Sequence, residues 1–385
     1  WLSRNAQLVD ILIERRPTSD DGDNFGVDNV LDFADILDAL RLDVHHSQFR
    51  TGVFLLANPT NFQTTGTQFA DIARRSISRL LPAVQRDIAA RHGSLEQAEM
   101  AVIGMGKLGS GEMSLQSDLD LVIVCDSSDF AETSDGDKPL AGDVWMARAA
   151  RRLISGLTVP TQEGSLYNVD MRLRPSGNAG PLVTKMTSFT AYQQNHAWTW
   201  EHMALTQASV IAGSPDLVAR LNAVMVDVIC RRRDKSMLAD DVEAMRRRLF
   251  EHQKIRGPLD VKNGSGGLID IEFMVQALVL AHAADCPEIS TPRGLAVTLE
   301  KLGTAGLLSR SDYELLLEAG SYYAPLRQIS GLCLEPDSDA IGQGATEMVL
   351  NAVHAPDPAR LQAQLGQFRD GISATFTRVM AGLRD

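Results

Sequence analysis

The stretch GMGKLGSGEMSLQSDLDLVIV, residues 104–124, leaves the chain little choice of fold. The apolar runs MAVIGMG and DLDLVIVCD are bounded by Gly and Asp and read as buried strands. Gly104, Gly106 and Gly109 fit G-x-G-x-x-G, the pattern of a dinucleotide-binding turn. That fold needs a helix of about three turns between its strands, and a second strand ending in an acid, for which Asp126 is available. Only Ser110–Ser117, SGEMSLQS, separates Gly109 from Asp118, and eight residues make about 12 Å of helix. That is too short to run back along a strand.

A second reading uses every residue of the stretch. A strand delivers the chain to a Gly-rich turn, and a short helix beginning at Gly109-Ser110 aims free N–H groups at a phosphate. Asp118 and Asp120 then lie two apart on one strand face, about 7 Å from each other, while Leu119 and Leu121 face the core. Such a pair can hold Mg2+ against a triphosphate. As a mere polar edge it would leave two like charges side by side without a counter-ion. LYNVDMRLRP also alternates, placing Leu166, Asn168, Asp170, Arg172 and Arg174 on one face and Tyr167, Val169, Met171 and Leu173 on the other. Asp170 is the candidate third acid of a two-metal site. Arg172 and Arg174 suit phosphate contacts and sheet-holding ion pairs equally.

The flanks are helical. VDNVLDFADILDALRLDVHH and FADIARRSISRLLPAVQRDIAARHG carry apolar residues on a helical period, with Gly93 as a stop. VWMARAARRLISGL reads as a helix, and the helical period returns from about residue 184 onward. Thr291-Pro292 and Ser311–Glu314 read as helix starts. The expected layout is a helical arm over 1–95, a small α/β core over 96–212 and a helical bundle over 213–385.

Composition narrows the partners. With 37 Lys+Arg against 49 Asp+Glu the net charge is −12, which argues against a general nucleic-acid binder and leaves room for a small triphosphate. Arg231–Arg233 and Arg246–Arg248 accordingly read as solvated helix faces. Cys125, Cys230, Cys286 and Cys333 are scattered, which predicts a reducing compartment and no zinc site. The most apolar stretch, Leu268–Ala284, carries Asp270, Glu272, Gln276 and His282, so it reads as a core helix of a cytoplasmic protein and not as a membrane span. The Trp1-Leu2-Ser3 start reads as the interior of a longer chain.

The glycine turn, D-x-D and a third Asp on a later strand resemble the polymerase-β-type nucleotidyltransferase superfamily. A narrower resemblance rests on four ordered motifs: GMGKLGSGEMSLQSDLDL, VDMRLRPSGNAGPLVT, AWTWEHMALTQA and DVKNGSGGLIDIEF. Together they are similar to the glutamine synthetase adenylyltransferase family over about residues 95–285. The resemblance implies an α+β fold in which a nucleotidyltransferase core with a mixed sheet is flanked by helices. It also implies that the chain is one of two catalytic halves. Arg174-Pro175-Ser176-Gly177, Trp200-Glu201-His202-Met203 and Ile269-Asp270-Ile271-Glu272-Phe273 favour the C-terminal, adenylylating half over the adenylyl-removing one. The implied reaction moves AMP from ATP to a tyrosine hydroxyl of glutamine synthetase and releases pyrophosphate, with the PII signal protein acting on the full-length enzyme. Asp118, Asp120 and Asp170 would hold two Mg2+ ions, and Asp170 could instead act as general base. Gly109, Ser110 and Lys107 would contact the β- and γ-phosphates.

Other motif residues have plainer readings. Asp270 and Glu272 favour a helix dipole as readily as a nucleotide, and Asp260, Lys262, Gly266 and Gly267 are open. Trp198, Trp200 and Glu201 read as core packing. Two other functions fit the core: transfer to a different acceptor, such as an RNA end or an antibiotic, and a regulatory module with a dead transferase centre. The acidic balance weighs against RNA, and the intact Asp118, Asp120 and Asp170 weigh against a dead centre.

Overall fold

Val, Ile and Leu concentrate in the two runs around the glycine turn, and these become the central strands. The computed structural model describes residues 32–58, 61–96, 98–127, 132–252, 257, 259–291, 294–333 and 343–384. Val30, Leu31 and Pro292, which the sequence places in a helix and a cap, lie outside the described residues.

Helices α1 (Phe33–Ala57) and α2 (Phe62–His92) lead into strand β1 (Glu99–Gly104). A five-residue helix α3 (Gly106–Ser110) and a loop return the chain into β2 (Leu119–Asp126). Helix α4 (Gly142–Thr158) is followed by β3 (Val169–Asp170), β4 (Val183–Lys185), α5 (Met186–Asn195), α6 (Thr199–Leu205) and β5 (Ser209–Gly213). The remaining elements are helical: α7 (Pro215–Ile229), α8 (Lys235–His252), α9 (Leu268–His282), α10 (Leu295–Thr304), α11 (Arg310–Cys333), α12 (Gln343–Ala352) and α13 (Pro358–Gly382). No helix among the described residues is long and apolar enough to cross a membrane.

The sheet is mixed and five-stranded. Its order is β3-β2-β1-β5, with β4 also on β2. β1 runs antiparallel to β2 and to β5, while β3 and β4 run parallel to β2. Side chains alternate between two apolar cores. Leu119, Leu121, Ile123 and Cys125 pack with α1, α2 and α4. Val122 and Val124 pack on the other face with α5, α7 and the helices that follow. Asp120 shares that second face by alternation, so it looks toward the helical bundle.

Three local expectations differ from the structure. The alternating stretch LYNVDMRLRP supplies only two strand residues, because the chain turns through Met171–Pro175, with Arg174 N bonded to Met171 O, and Ser176 at φ 62° completes the reversal. The cap before α11 is Ser309, whose hydroxyl accepts from Asp312 N at 3.1 Å, two residues before the expected box. The arginine runs are not simply solvated. Arg233 donates to Ile229 O and Val228 O at the end of α7, and Arg246 pairs with the buried Asp270.

Candidate active site

The glycine turn is shaped by packing from both sides. Helix α3 begins at Gly106, three residues earlier than the spacing predicts, so Gly109 and Ser110 form its end rather than its start. A side chain at Gly109 would place its Cβ 2.0 Å from Gln207 O and 2.5 Å from Gly104 O. Arg74 donates to Leu108 O and Gly109 O, and Ser209 Oγ to Gly109 O. Gly109 is therefore the point where α3 closes on β5. Gly109→Ala should cost about 1–3 kcal/mol or more, since the obstructing atoms are backbone. Urea unfolding checks this; a variant with unchanged stability but weakened ATP binding would return Gly109 to the phosphates.

Gly106 is the glycine beside the acids. It sits at φ +52°, and a Cβ there would lie 3.2 Å from Asp120 Oδ2. Asp120 opposes Asp170 directly in the parallel β2–β3 register. Asp118 precedes β2 and is exposed. The three acids act on one another. Burial first, then the charges of Asp170 and Asp118, push the Asp120 carboxyl up to about 6. Asp170 is held below the usual carboxylate range by Arg172, which donates from Nε to Oδ2 at 2.7 Å and from its backbone N to Oδ1 at 2.8 Å.

Arg172 thus faces the acids, whereas Arg174 turns away. Arg174 donates to the carbonyls of Met171, Asn178 and Gly180 and braces the turn after β3. Ser110 Oγ reaches Glu112 Oε2, at 3.5 Å. Lys107 lies in α3 among charges from both sides. Burial, then Arg327 and Lys262, push its ammonium down to about 8, against the pull of Glu272 and Asp120.

The donor chemistry fits a divalent cation. Three carboxylates offer hard oxygens, and the raised Asp120 marks a concentration of negative charge that a cation relieves. Among the described residues no three His, Cys, Asp or Glu side chains are gathered tightly around one point, as Asp170 is turned onto Arg172.

Two neighbours escaped the sequence reading. Glu112 Oε1 accepts from Leu295 N at 2.8 Å, which ties the loop before β2 to the start of α10. Arg327 of α11 donates to Glu112 O at 3.4 Å. With Glu272 they line an open cleft walled by Phe62, Leu295 and Leu317. A single Glu in a loop and a single Arg within a long helix carry no local pattern that would reveal this meeting.

The motif around α6 also reads differently in three dimensions. Glu201 is buried and holds Tyr192 Oη at 2.9 Å and Trp198 N at 2.9 Å. The two tryptophans instead point outward, Trp198 at 70% exposure and Trp200 at 40%.

Residues 24–224 match the family model of glutamate–ammonia ligase adenylyltransferase, and residues 236–329 match that of GlnD PII-uridylyltransferase. The chain is similar to proteins named bifunctional glutamine synthetase adenylyltransferase/adenylyl-removing enzyme. One from Rhodopseudomonas palustris is 38% identical over 352 residues, 91% of this chain and 36% of that protein. One from Bradyrhizobium diazoefficiens is 37% identical, covering 99% of this chain and 39% of that protein. One from Brucella suis is 38% identical, covering 91% and 35%. The chain therefore spans little more than a third of the length of these relatives.

Proposed function

Because the chain belongs to the glutamate–ammonia ligase adenylyltransferase family, we propose that it is the adenylylating half of a two-headed enzyme, with a polymerase-β-type core over about 96–212. It transfers AMP from ATP to a tyrosine hydroxyl of glutamine synthetase and releases pyrophosphate. The observation that carries this reading is the register of Asp120 against Asp170, with Asp118 just ahead and the Gly106 turn alongside. The likeness of residues 236–329 to a PII-uridylyltransferase model supports a nucleotidyl-transfer cleft between sheet and bundle. In the full-length enzyme the PII signal protein acts on this balance.

The tyrosine oxygen attacks the α-phosphorus, the bond to the bridging oxygen of pyrophosphate breaks, and the phenolic proton leaves. Such displacement needs positioning and charge neutralisation more than covalent help. Asp118, Asp120 and Asp170 would hold Mg2+, which when bound neutralises the triphosphate and lowers the acceptor's pKa. Arg172 keeps Asp170 ionised and so makes it a weak base, which supports a ligand role for this acid over general-base catalysis. Lys107 lies within reach of the Asp120 charge and would add positive charge to the bound triphosphate.

The test is mass spectrometry of glutamine synthetase after incubation with this protein, ATP and Mg2+. One AMP per modified tyrosine is the expected product. Adenylylated glutamine synthetase should then release little ADP when orthophosphate is supplied, and slowly regenerate ATP with pyrophosphate, because one site must catalyse its own reverse reaction. Rapid ADP formation would assign this chain to the adenylyl-removing half.

A further inference from the structure

The loop after α3 reaches the helical bundle through the side chain of Glu112. Five residues are too few to form a stable helix by their own hydrogen bonds, so α3 takes its orientation from what is attached to it. Gly111, at φ +82°, turns the chain at its end, and Gly111 N and Glu112 N both donate to Lys107 O, at 3.0 and 2.9 Å. The backbone of Glu112 is thus part of the α3 turn, while its carboxylate points out of it toward the bundle. At the other end of α3, Met105 N donates to Asp120 O at 2.9 Å, so a tilt of this short helix is felt beside that acid.

The carboxylate supplies what α10 lacks. Helix α10 opens at Gly294, which has no side chain with which to cap it. Glu112 Oε1 accepts from Leu295 N at 2.8 Å instead. A Cβ on Gly294 would stand 2.9 Å from the same oxygen, so the glycine is what lets the carboxylate approach. Burial pushes the Glu112 carboxyl up from its ordinary range, and the bond from Leu295 works against that push.

Helix α10 is itself well fixed. A Cβ on Gly320 of α11 would lie 3.5 Å from Leu295 Cδ2, so the two helices are in contact there. Gln328 of α11 donates to Phe62 O at 3.0 Å and accepts from Thr65 Oγ1 at 3.2 Å, both at the start of α2. Helix α2 in turn grips α3 through Arg74, which donates to Leu108 O and Gly109 O. The contacts run in a ring from α3 through Glu112 to α10, then to α11, to α2 and back to α3. Arg327 adds a bond of 3.4 Å to Glu112 O.

We propose that Glu112 is a positioning residue for AMP transfer: by capping α10 from the end of α3 it closes this ring and fixes the tilt of the Gly106 turn beside Asp120. The inference rests on the adenylyl-transfer reading for the reaction that the turn serves, while the coupling of α10 to α3 stands apart from it. In-line displacement is sensitive to such a tilt, since a misplacement of about 1 Å can cost about a hundredfold in rate.

The test separates a remote cap from a positioning residue. Glu112→Ala should lower the urea midpoint and reduce kcat for transfer about tenfold, with KM for ATP within about threefold. Adding Gly294→Ser gives α10 a cap of its own. The three atoms nearest a Cβ there all belong to the Glu112 side chain that has been removed, and φ −58°, ψ 160° suit a capping serine. The double variant should regain the wild-type urea midpoint while its kcat stays about tenfold down. Glu112→Gln keeps an acceptor for Leu295 N and should transfer AMP within about threefold of the wild-type rate. Rates are read where every variant is fully folded by circular dichroism. Amide exchange at positions 109, 111 and 112, followed without nucleotide or acceptor, should be about tenfold faster in Glu112→Ala and in the double variant. Wild-type kcat in the double variant would reduce Glu112 to a cap and overturn the proposal, and so would wild-type exchange at those amides. A wild-type protein that modifies no glutamine synthetase would instead sink the adenylyl-transfer reading, and the exchange result would still decide the coupling.

Discussion

Asp120→Asn should abolish AMP transfer and at the same time make the fold more stable at neutral pH. The carboxyl is pushed up to about 6 in the folded protein from 3.8 in an unperturbed one. Between those values the folded chain keeps a proton that the unfolded chain has released. Stability therefore falls as pH rises through that window, and it stays lowered at pH 7. The full shift corresponds to about 3 kcal/mol, and partial solvent access reduces the expected gain to about 1–2 kcal/mol. Asparagine carries no charge and escapes the penalty, but it is a poor metal ligand, so transfer should fall by several orders of magnitude. Label incorporation from ATP and urea unfolding at pH 7 and pH 4 measure both halves. The stability gain should be present at pH 7 and absent at pH 4. Near-native turnover, or a less stable variant at pH 7, would show that Asp120 is not a strained acid of the centre.

Asp270→Ala should do the opposite, unfolding the bundle without touching the acids. Asp270 is fully buried and accepts from Arg246 Nε and Nη2 at 2.6 Å each, and from Gly266 N at 2.7 Å. The guanidinium lies between the rings of Phe250 and Phe376, 4.7 and 4.4 Å from their centroids. Removing the carboxylate leaves a partly buried cation with no answering charge and an amide with no acceptor, at a cost of about 3–5 kcal/mol. Chemical denaturation reads this directly. Replacing both partners with apolar residues, Arg246→Met with Asp270→Leu, should recover much of the loss. A single variant that unfolds at the wild-type midpoint would contradict the pairing.

The sequence was most informative where short-range physics decides the outcome. The two apolar runs become β1 and β2, and the eight residues from Ser110 to Ser117 are indeed too few for a crossover helix; they hold only the last residue of α3 and a loop. The acids of β2 and β3 come together because both lie at strand positions with clear apolar neighbours. The reading weakened where a distant element intervenes. Alternation in LYNVDMRLRP continues past Asp170, but the strand ends there, and Arg174 binds backbone carbonyls that fold the chain into a turn. Gly109 belongs to the glycine pattern, yet β5, a hundred residues later, fixes its role. Asp270 and Arg246 are unremarkable on their own helices, and only the packing of α8 against α9 makes them a pair. At the start of α6 Glu201 is buried while Trp198 and Trp200 are exposed, which hydrophobicity alone ranks the other way.

The strand that bears Asp120 has apolar layers pressed against both of its faces. Peeling away either layer of helices would bare half of its side chains, so neither layer can come off alone at low cost. Local opening is then confined to the rims, where Asp118 and the turn after Asp170 lie, while β2 opens only when the whole molecule does. The Asp120 carboxylate is thereby anchored in the least yielding part of the protein, while Asp118 and the turn after Asp170 lie at its rim.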